Sequence, residues 1–149
     1  MTDVPRPSTT ATAGVVAAGG VVGTSLRAGL EQWLGGTTVP WITLAINLAG
    51  AFALGLLLEG LARTGEDVGR RRMVRMGLGA GAIGGFTTYS TFVLEAVRLL
   101  EQGHAELMVG YLAGSLVLGV GAAWLGLTAA DRLTRRSAAP GDDRPEADR

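Results

Sequence analysis

Four stretches of this chain are apolar, uncharged and long, and they dictate what it can become. Ala11 to Leu26 carries no charged residue, and neither do Leu34 to Leu58, Met76 to Leu94 or Leu107 to Ala130. The last three are 25, 19 and 24 residues long. A helix needs about 20 apolar residues to cross a hydrocarbon core roughly 30 Å thick. The first run is shorter but can continue past Arg27 through Leu30, Trp33 and Leu34. The pattern predicts an all-α integral membrane fold of four transmembrane helices, over about 11–33, 39–61, 74–100 and 105–128. A soluble bundle would need a polar face recurring every 3.6 residues. Leu44 to Leu58 offers Asn47 as its only strongly polar side chain. A cleaved signal peptide fits poorly, because the first run is preceded by Arg6 alone and followed directly by Arg27.

The membrane domain is expected over 11–130. Residues 1–10 read as a disordered N-terminus and 131–149 as a polar cytoplasmic tail, Pro-containing from Ser137 onward. Trp33 and Trp41 suit an interfacial belt. The chain has no Cys and a single His, His104. Thiolate metal sites and cysteine nucleophiles are therefore excluded, and a His-based zinc site or a Ser-His-Asp triad is not expected. Thirteen basic and thirteen acidic residues cancel, which gives nucleic acid nothing to bind. No nucleophile, base and orienting group can be assembled from this inventory, so an enzyme is the least supported class.

All thirteen basic residues are Arg, and they are unevenly placed. Four crossings put the N-terminus, the middle loop and the C-terminus on one side. That side holds Arg6, Arg63, Arg70, Arg71, Arg72, Arg75, Arg132, Arg135 and Arg136, against Arg27 and Arg98 on the other. Basic loops stay cytoplasmic, so the chain should insert N-in and C-in.

Helices in lipid gain little from apolar burial and associate by close packing and hydrogen bonds. Small residues four apart allow that approach, and Gly19–Gly23, Gly77–Gly81–Gly85 and Gly110–Gly114 have the spacing. Gly is also common in membrane helices without any such role. The third run is denser, with Gly77, Gly79, Gly81, Gly84 and Gly85 inside nine residues.

The third run also carries the most informative segment, Gly84-Gly85-Phe86-Thr87-Thr88-Tyr89-Ser90-Thr91-Phe92. Two adjacent Gly are followed by four hydroxyls in five residues, with Tyr89 among them. Helix preference is low here, because Gly adds backbone freedom and Thr is β-branched. A break is expected. Non-helical backbone at membrane depth survives only inside protein or beside a polar cavity, and interrupted helices free carbonyls and amides for ions. The alternative is a continuous helix whose hydroxyls bond back to the preceding turn.

Three further polar residues stand out. Asn47, midway along the second helix, is either glue between helices or a donor facing a pathway. Arg27 either snorkels to the interface or draws anions to a pore mouth. Glu95, three residues past Phe92, is a functional candidate as an intramembrane carboxylate, or else an exposed interfacial one.

These segments resemble the CrcB/Fluc fluoride channel family. Gly-Gly-Val-Val-Gly-Thr-Ser-Leu-Arg (19–27) looks like its first-helix motif and Thr-Leu-Ala-Ile-Asn-Leu-Ala-Gly-Ala-Phe (43–52) like its second. Residues 84–92 are similar to its GGFTTFSTF signature with one change. The likeness covers roughly Gly14 to Ala130. It implies a fluoride-selective channel in a bacterial inner membrane, built as a dual-pore antiparallel dimer. It implies a structural Na⁺ held by backbone carbonyls of Gly84 and Thr87. Asn47 would line the fluoride path. Tyr89 and Phe92 would turn electropositive ring edges to the anion. Tyr111 and Ser115 match polar positions along the path, and Ser90 and Thr91 add hydroxyl donors. Arg27 and Glu95 would lie near the pore mouths.

The departures are specific. Tyr89 stands where the signature has Phe, Gly119 where many members have a hydroxyl, and Ile42 where a Gly precedes the Thr. An antiparallel homodimer also needs a chain that inserts both ways, and nine arginines against two are not balanced. The expected partner is therefore a homologous chain of opposite bias, with a homodimer as the alternative. Competing functions are a small multidrug exporter, which needs a carboxylate deep in its first helix that this chain lacks, and a purely structural membrane subunit.

Overall fold

The computed structural model describes residues 8–34, 40–63 and 65–137. Every element among them is helical. Helix α1 (Thr9–Leu34) and α2 (Trp41–Arg63) are followed by a short α3 (Gly69–Val74). A π-helical segment (Arg75–Ile83) runs from α3 into a single turn, α4 (Gly84–Phe86). Helix α5 (Ser90–Glu101) and the long α6 (Ala105–Ser137) complete the chain. Helices α1, α2 and α6 are each long and apolar enough to cross a membrane. The third crossing is assembled from α3, the π segment, α4 and α5, and is interrupted at 87–89. The protein is an all-α, four-helix membrane protein with its third helix broken.

The boundaries differ from expectation at three ends. Helix α1 starts at Thr9, two residues early, because Ser8 caps it: the Ala11 N–H donates to Ser8 Oγ at 3.2 Å. The third crossing starts at Gly69 rather than 74. Helix α6 runs to Ser137, past the expected end at 128 and into the residues assigned to a tail. Asp131 explains the extension, pairing with Arg135 one turn on at 2.7 Å and with Arg63 of α2 at 2.8 Å. The rest of the expected tail, 138–149, and residues 1–7 lie outside the described residues.

Helices α1 and the π segment are in backbone contact, and glycine makes this possible. A Cβ on Gly19 would collide with the Gly77 carbonyl oxygen, and one on Gly23 with that of Ala82. A Cβ on Gly81 would lie 2.7 Å from the Val16 carbonyl oxygen. The predicted pairs on these two elements are therefore used as close-packing surfaces. Gly110–Gly114 is not: a Cβ on either residue would meet nothing within 4 Å, so that pair packs against no other helix of the subunit. Helices α2 and α6 instead meet through Gly55 and Gly126, each seated on a backbone carbonyl of the opposite helix.

The π turns were not foreseen. Here the Gly84 N–H reaches back five residues to the Gly79 carbonyl, where an α-helix would reach four. π turns are rare and concentrate at functional sites, and this one leads directly into the break. Beyond α5 the chain reverses through a Schellman motif. The Gly103 N–H donates to Leu100 O and the His104 N–H to Leu99 O, at 3.0 and 2.9 Å. Gly103 sits at φ 80°, where a side chain would be strained. Under this turn Ala96, Leu99 and Tyr111 form a small buried cluster with Phe92, Leu44 and Met108 against it.

Candidate functional site around the broken third crossing

The break begins where Thr87 leaves helical geometry at φ −77°, ψ 158°. In an unbroken helix the Gly84 carbonyl would accept from the Thr88 N–H. That N–H donates instead to Asn47 Oδ1 at 2.9 Å, and Asn47 Nδ2 donates to the Thr88 carbonyl at 2.9 Å. One side-chain amide thus holds both backbone groups of Thr88. The Thr91 N–H, which would have reached Thr87 O, goes to Thr88 Oγ1 at 3.1 Å and so caps α5. The Gly85 carbonyl is held from α1, by Thr24 Oγ1 at 3.3 Å and by Arg27 Nε at 3.4 Å.

The carbonyls of Gly84 and Thr87 are among those left without a backbone donor among the described residues. Gly84 O receives only Thr87 Oγ1, at the outer limit of 3.5 Å. Thr87 O accepts none. Freed carbonyls of unwound helices are suitable ligands for Na⁺. Among the described residues no group of three His, Cys, Asp or Glu could hold a metal, so a cation here would rest on backbone oxygen.

Gly84 and Thr87 open onto a cleft of about 610 Å³ that also brings Asn47, Tyr89, Phe92 and Ser115 together. The rest of its wall is mostly apolar. Ser115 Oγ is buried there with no hydrogen-bond partner among the described residues, an uncommon state for a buried hydroxyl. Tyr89 is 79% exposed at the cleft edge. Its ring lies 6.3 Å from that of Phe92, which in turn lies 5.0 Å from Tyr111, both pairs tilted.

Beside the cleft is a second polar cluster. Thr43 Oγ1 donates to Glu95 Oε1 at 2.7 Å, and the Tyr111 hydroxyl donates to Glu95 Oε2 at 2.9 Å. Thr43 and Tyr111 are buried and Glu95 is half-buried. Glu95 is therefore not the exposed interfacial carboxylate that was one reading of it; both its oxygens are engaged inside the subunit. Arg27 is likewise tied down, to Gly85 O and to Glu31 one turn on at 3.2 Å. Thr91 and Ser90 sit on the first turn of α5 next to Thr88. Thr91 Oγ1 accepts from Thr88 at 3.0 Å, and Ser90 Oγ lies 3.4 Å from the same hydroxyl.

Of the candidates from sequence, the cleft unites Gly84, Thr87, Asn47, Tyr89, Phe92 and Ser115. Tyr111 and Glu95 belong to the neighbouring cluster, and Arg27 to the clamp on Gly85. Three participants were missed: Thr88, Thr43 and Thr24. The signals for two of them were readable. Thr is a favoured N-cap residue and Thr88 stands just before an apolar helical run, and Thr43 lies one turn from Asn47 on the same face.

A family model described as CrcB-like protein, Camphor Resistance (CrcB), matches residues 14–127. The fluoride-specific ion channel FluC 1 of Cutibacterium acnes is 43% identical over 118 residues, 78% of this chain and 82% of that protein. The fluoride-specific ion channel FluC of Agrobacterium fabrum is 40% identical over 116 residues, 76% of this chain and 90% of its own. The FluC 2 protein of Moorella thermoacetica is 41% identical over 122 residues, 79% and 95% of the two chains. The family match begins in α1, takes in the whole of the break and ends on α6; the chain belongs to the CrcB family.

Proposed function

We propose that this protein is a fluoride-specific ion channel subunit, not an enzyme, and that it lowers cytoplasmic fluoride by passive export. The observation that carries this reading is the cleft at the break, where an unpartnered hydroxyl, an amide and aromatic rings meet without a fixed cation. Fluoride is small and strongly hydrated, so a narrow path must replace its water with donors. Ser115 has its O–H uncommitted. Asn47 retains one N–H after binding Thr88 O. Thr91 accepts from Thr88 and keeps its own proton to donate. The edges of Phe92 and Tyr89 add positive potential. A lysine or arginine in their place would hold the anion too long to conduct it. The membrane potential, negative inside, drives fluoride outward.

A structural Na⁺ fits the donor set, held by the carbonyls of Gly84 and Thr87. When bound, it would supply the positive charge those two oxygens lack and fix the two halves of the crossing. The cleft is open in the single chain, and Tyr89 is left uncovered. Both features support a dimer in which a second subunit closes the path. The family resemblance makes that dimer antiparallel with two pores. The arginine bias makes the second subunit a homologous chain of opposite insertion, with this chain N-in and C-in in a bacterial inner membrane.

The test is growth of a channel-deleted, fluoride-sensitive bacterium. Expression together with an oppositely biased homologue should restore growth in fluoride. Failure to rescue while both chains are present in the membrane would remove the channel reading. Full rescue by this chain alone would replace the heterodimer with a homodimer.

A further inference from the structure

Gly50 stands one turn beyond Asn47 on α2, and both residues line the cleft at the break. Gly50 is buried. A Cβ built on it would collide with Thr87 Cγ2, with Thr87 Cβ at 3.6 Å and Ile83 Cγ2 at 3.8 Å. The Thr87 methyl group therefore occupies the space that a side chain at position 50 would need.

The other arm of the Thr87 side chain is fixed as well. Its Oγ1 donates to Ile83 O at 3.0 Å. Side chains occupy staggered positions about χ1. Of the two alternatives open to Thr87, one puts the hydroxyl against Gly50 and the other turns the methyl group towards Ile83 O. Both give up the hydroxyl's bond, so seat and bond select the same rotamer. The peptide that follows carries Thr87 O at one end and the Thr88 N–H at the other. A trans peptide is planar, so these two groups point in opposite directions. Asn47 Oδ1 holds the N–H at 2.9 Å, and the Gly50 seat holds the Cα from which the carbonyl starts. Together they aim Thr87 O, and both come from one turn of α2.

We propose that Gly50 is a positioning residue: by seating the Thr87 methyl group it aims the Thr87 carbonyl, and so sets the affinity of the break for Na⁺. The proposal rests on the reading of Gly84 and Thr87 as a cation site, and not on which anion the cleft passes.

The experiment moves one methyl group across the contact. Gly50→Ala adds a carbon where the Thr87 methyl lies, Thr87→Ser removes that methyl, and the double variant does both. The purified complex of each is melted in sodium chloride and in choline chloride at equal ionic strength, and its fluoride efflux from liposomes is followed in parallel. A cation bound only by the folded form raises the melting temperature in sodium and not in choline. The Na⁺ concentration that gives half of this rise should increase about tenfold in Gly50→Ala and about threefold in Thr87→Ser, the effect of disturbing a group that orients a metal ligand. Efflux should fall in the same order. The double variant should recover to within about twofold of the parent, because the two sites are in contact and their effects do not add. Gly50→Ala combined with Thr87→Val, which keeps a methyl in the seat, should not recover. A double variant no better than Gly50→Ala, or a Gly50→Ala complex with the parent's sodium response, would overturn the proposal. Should Gly50→Ala fail to fold, Thr87→Ser decides: an unchanged sodium response there would overturn it equally. A parent with a sodium response but no fluoride efflux would remove the channel reading and leave this inference to the melting curves. A parent with no sodium response would overturn the cation site and this inference together.

Discussion

The side chain of Asn47 does for Thr88 what a neighbouring strand does in a sheet, donating to its carbonyl and accepting from its N–H. Of the two readings of this residue from sequence, the hydrogen bonds to Thr88 match the glue, and the pathway role is a proposal that rests on its remaining N–H. Asn47→Ala should cost about 2–4 kcal/mol in thermal or denaturant unfolding, from two lost hydrogen bonds and a stranded N–H. Asn47→Asp separates the roles. It keeps the acceptor for Thr88 N–H but sets a negative charge beside the path, so the protein should fold while fluoride flux falls at least tenfold. Unchanged flux in a folded Asn47→Asp protein would remove Asn47 from the path. Asp67 gives a prediction in pH. Its hydrogen bond from Arg75 holds its carboxyl below the usual carboxylate value. The folded form is thus favoured above about pH 4, the unfolded carboxylate value, and that advantage is lost as pH falls through the lower folded value. Asp67→Asn should melt slightly below the parent at pH 7, and the two should converge once pH has fallen through the lowered folded value.

At the scale of elements, the glycines sort by what faces them. Gly23→Ala drives a methyl group into the Ala82 carbonyl and should destabilise the subunit by about 1–3 kcal/mol, as overpacking does. Gly110→Ala meets nothing within 4 Å inside the subunit, so the isolated chain should melt unchanged. A matching loss in both variants would contradict this division. The sequence could not make the distinction, because Gly19–Gly23 and Gly110–Gly114 have the same spacing and only the tertiary arrangement tells them apart. The break itself was legible, since adjacent Gly and β-branched Thr weaken the helix where the apolar run demands one. The π turns before it were not. They coincide with the close seat of Gly77 and Gly81 on α1, a contact between residues some 60 positions apart that no local pattern encodes. Glu95 was half legible: its presence in the membrane marked it, but its partners Thr43 and Tyr111 come from two other helices.

For the whole molecule, the uncharged runs were enough to set four crossings, and charge pairing set where the last one ends. Little of the single chain is deeply buried, and Tyr89, Val117, Leu116 and Trp124 are among many large apolar side chains left exposed. In a membrane these surfaces face acyl chains or a second subunit. The cleft at the break is open on such a surface, where the proposed second subunit would cover it. As a fluoride channel, the cleft should pass fluoride and exclude larger anions. The direct measurement is fluoride and chloride efflux from liposomes holding the purified complex, read with ion-selective electrodes after a potassium ionophore is added. Rapid fluoride efflux is expected, with no chloride efflux above empty liposomes and loss of the fluoride signal in Phe92→Ile. Equal efflux of both anions, or fluoride efflux untouched by Phe92→Ile, would contradict it.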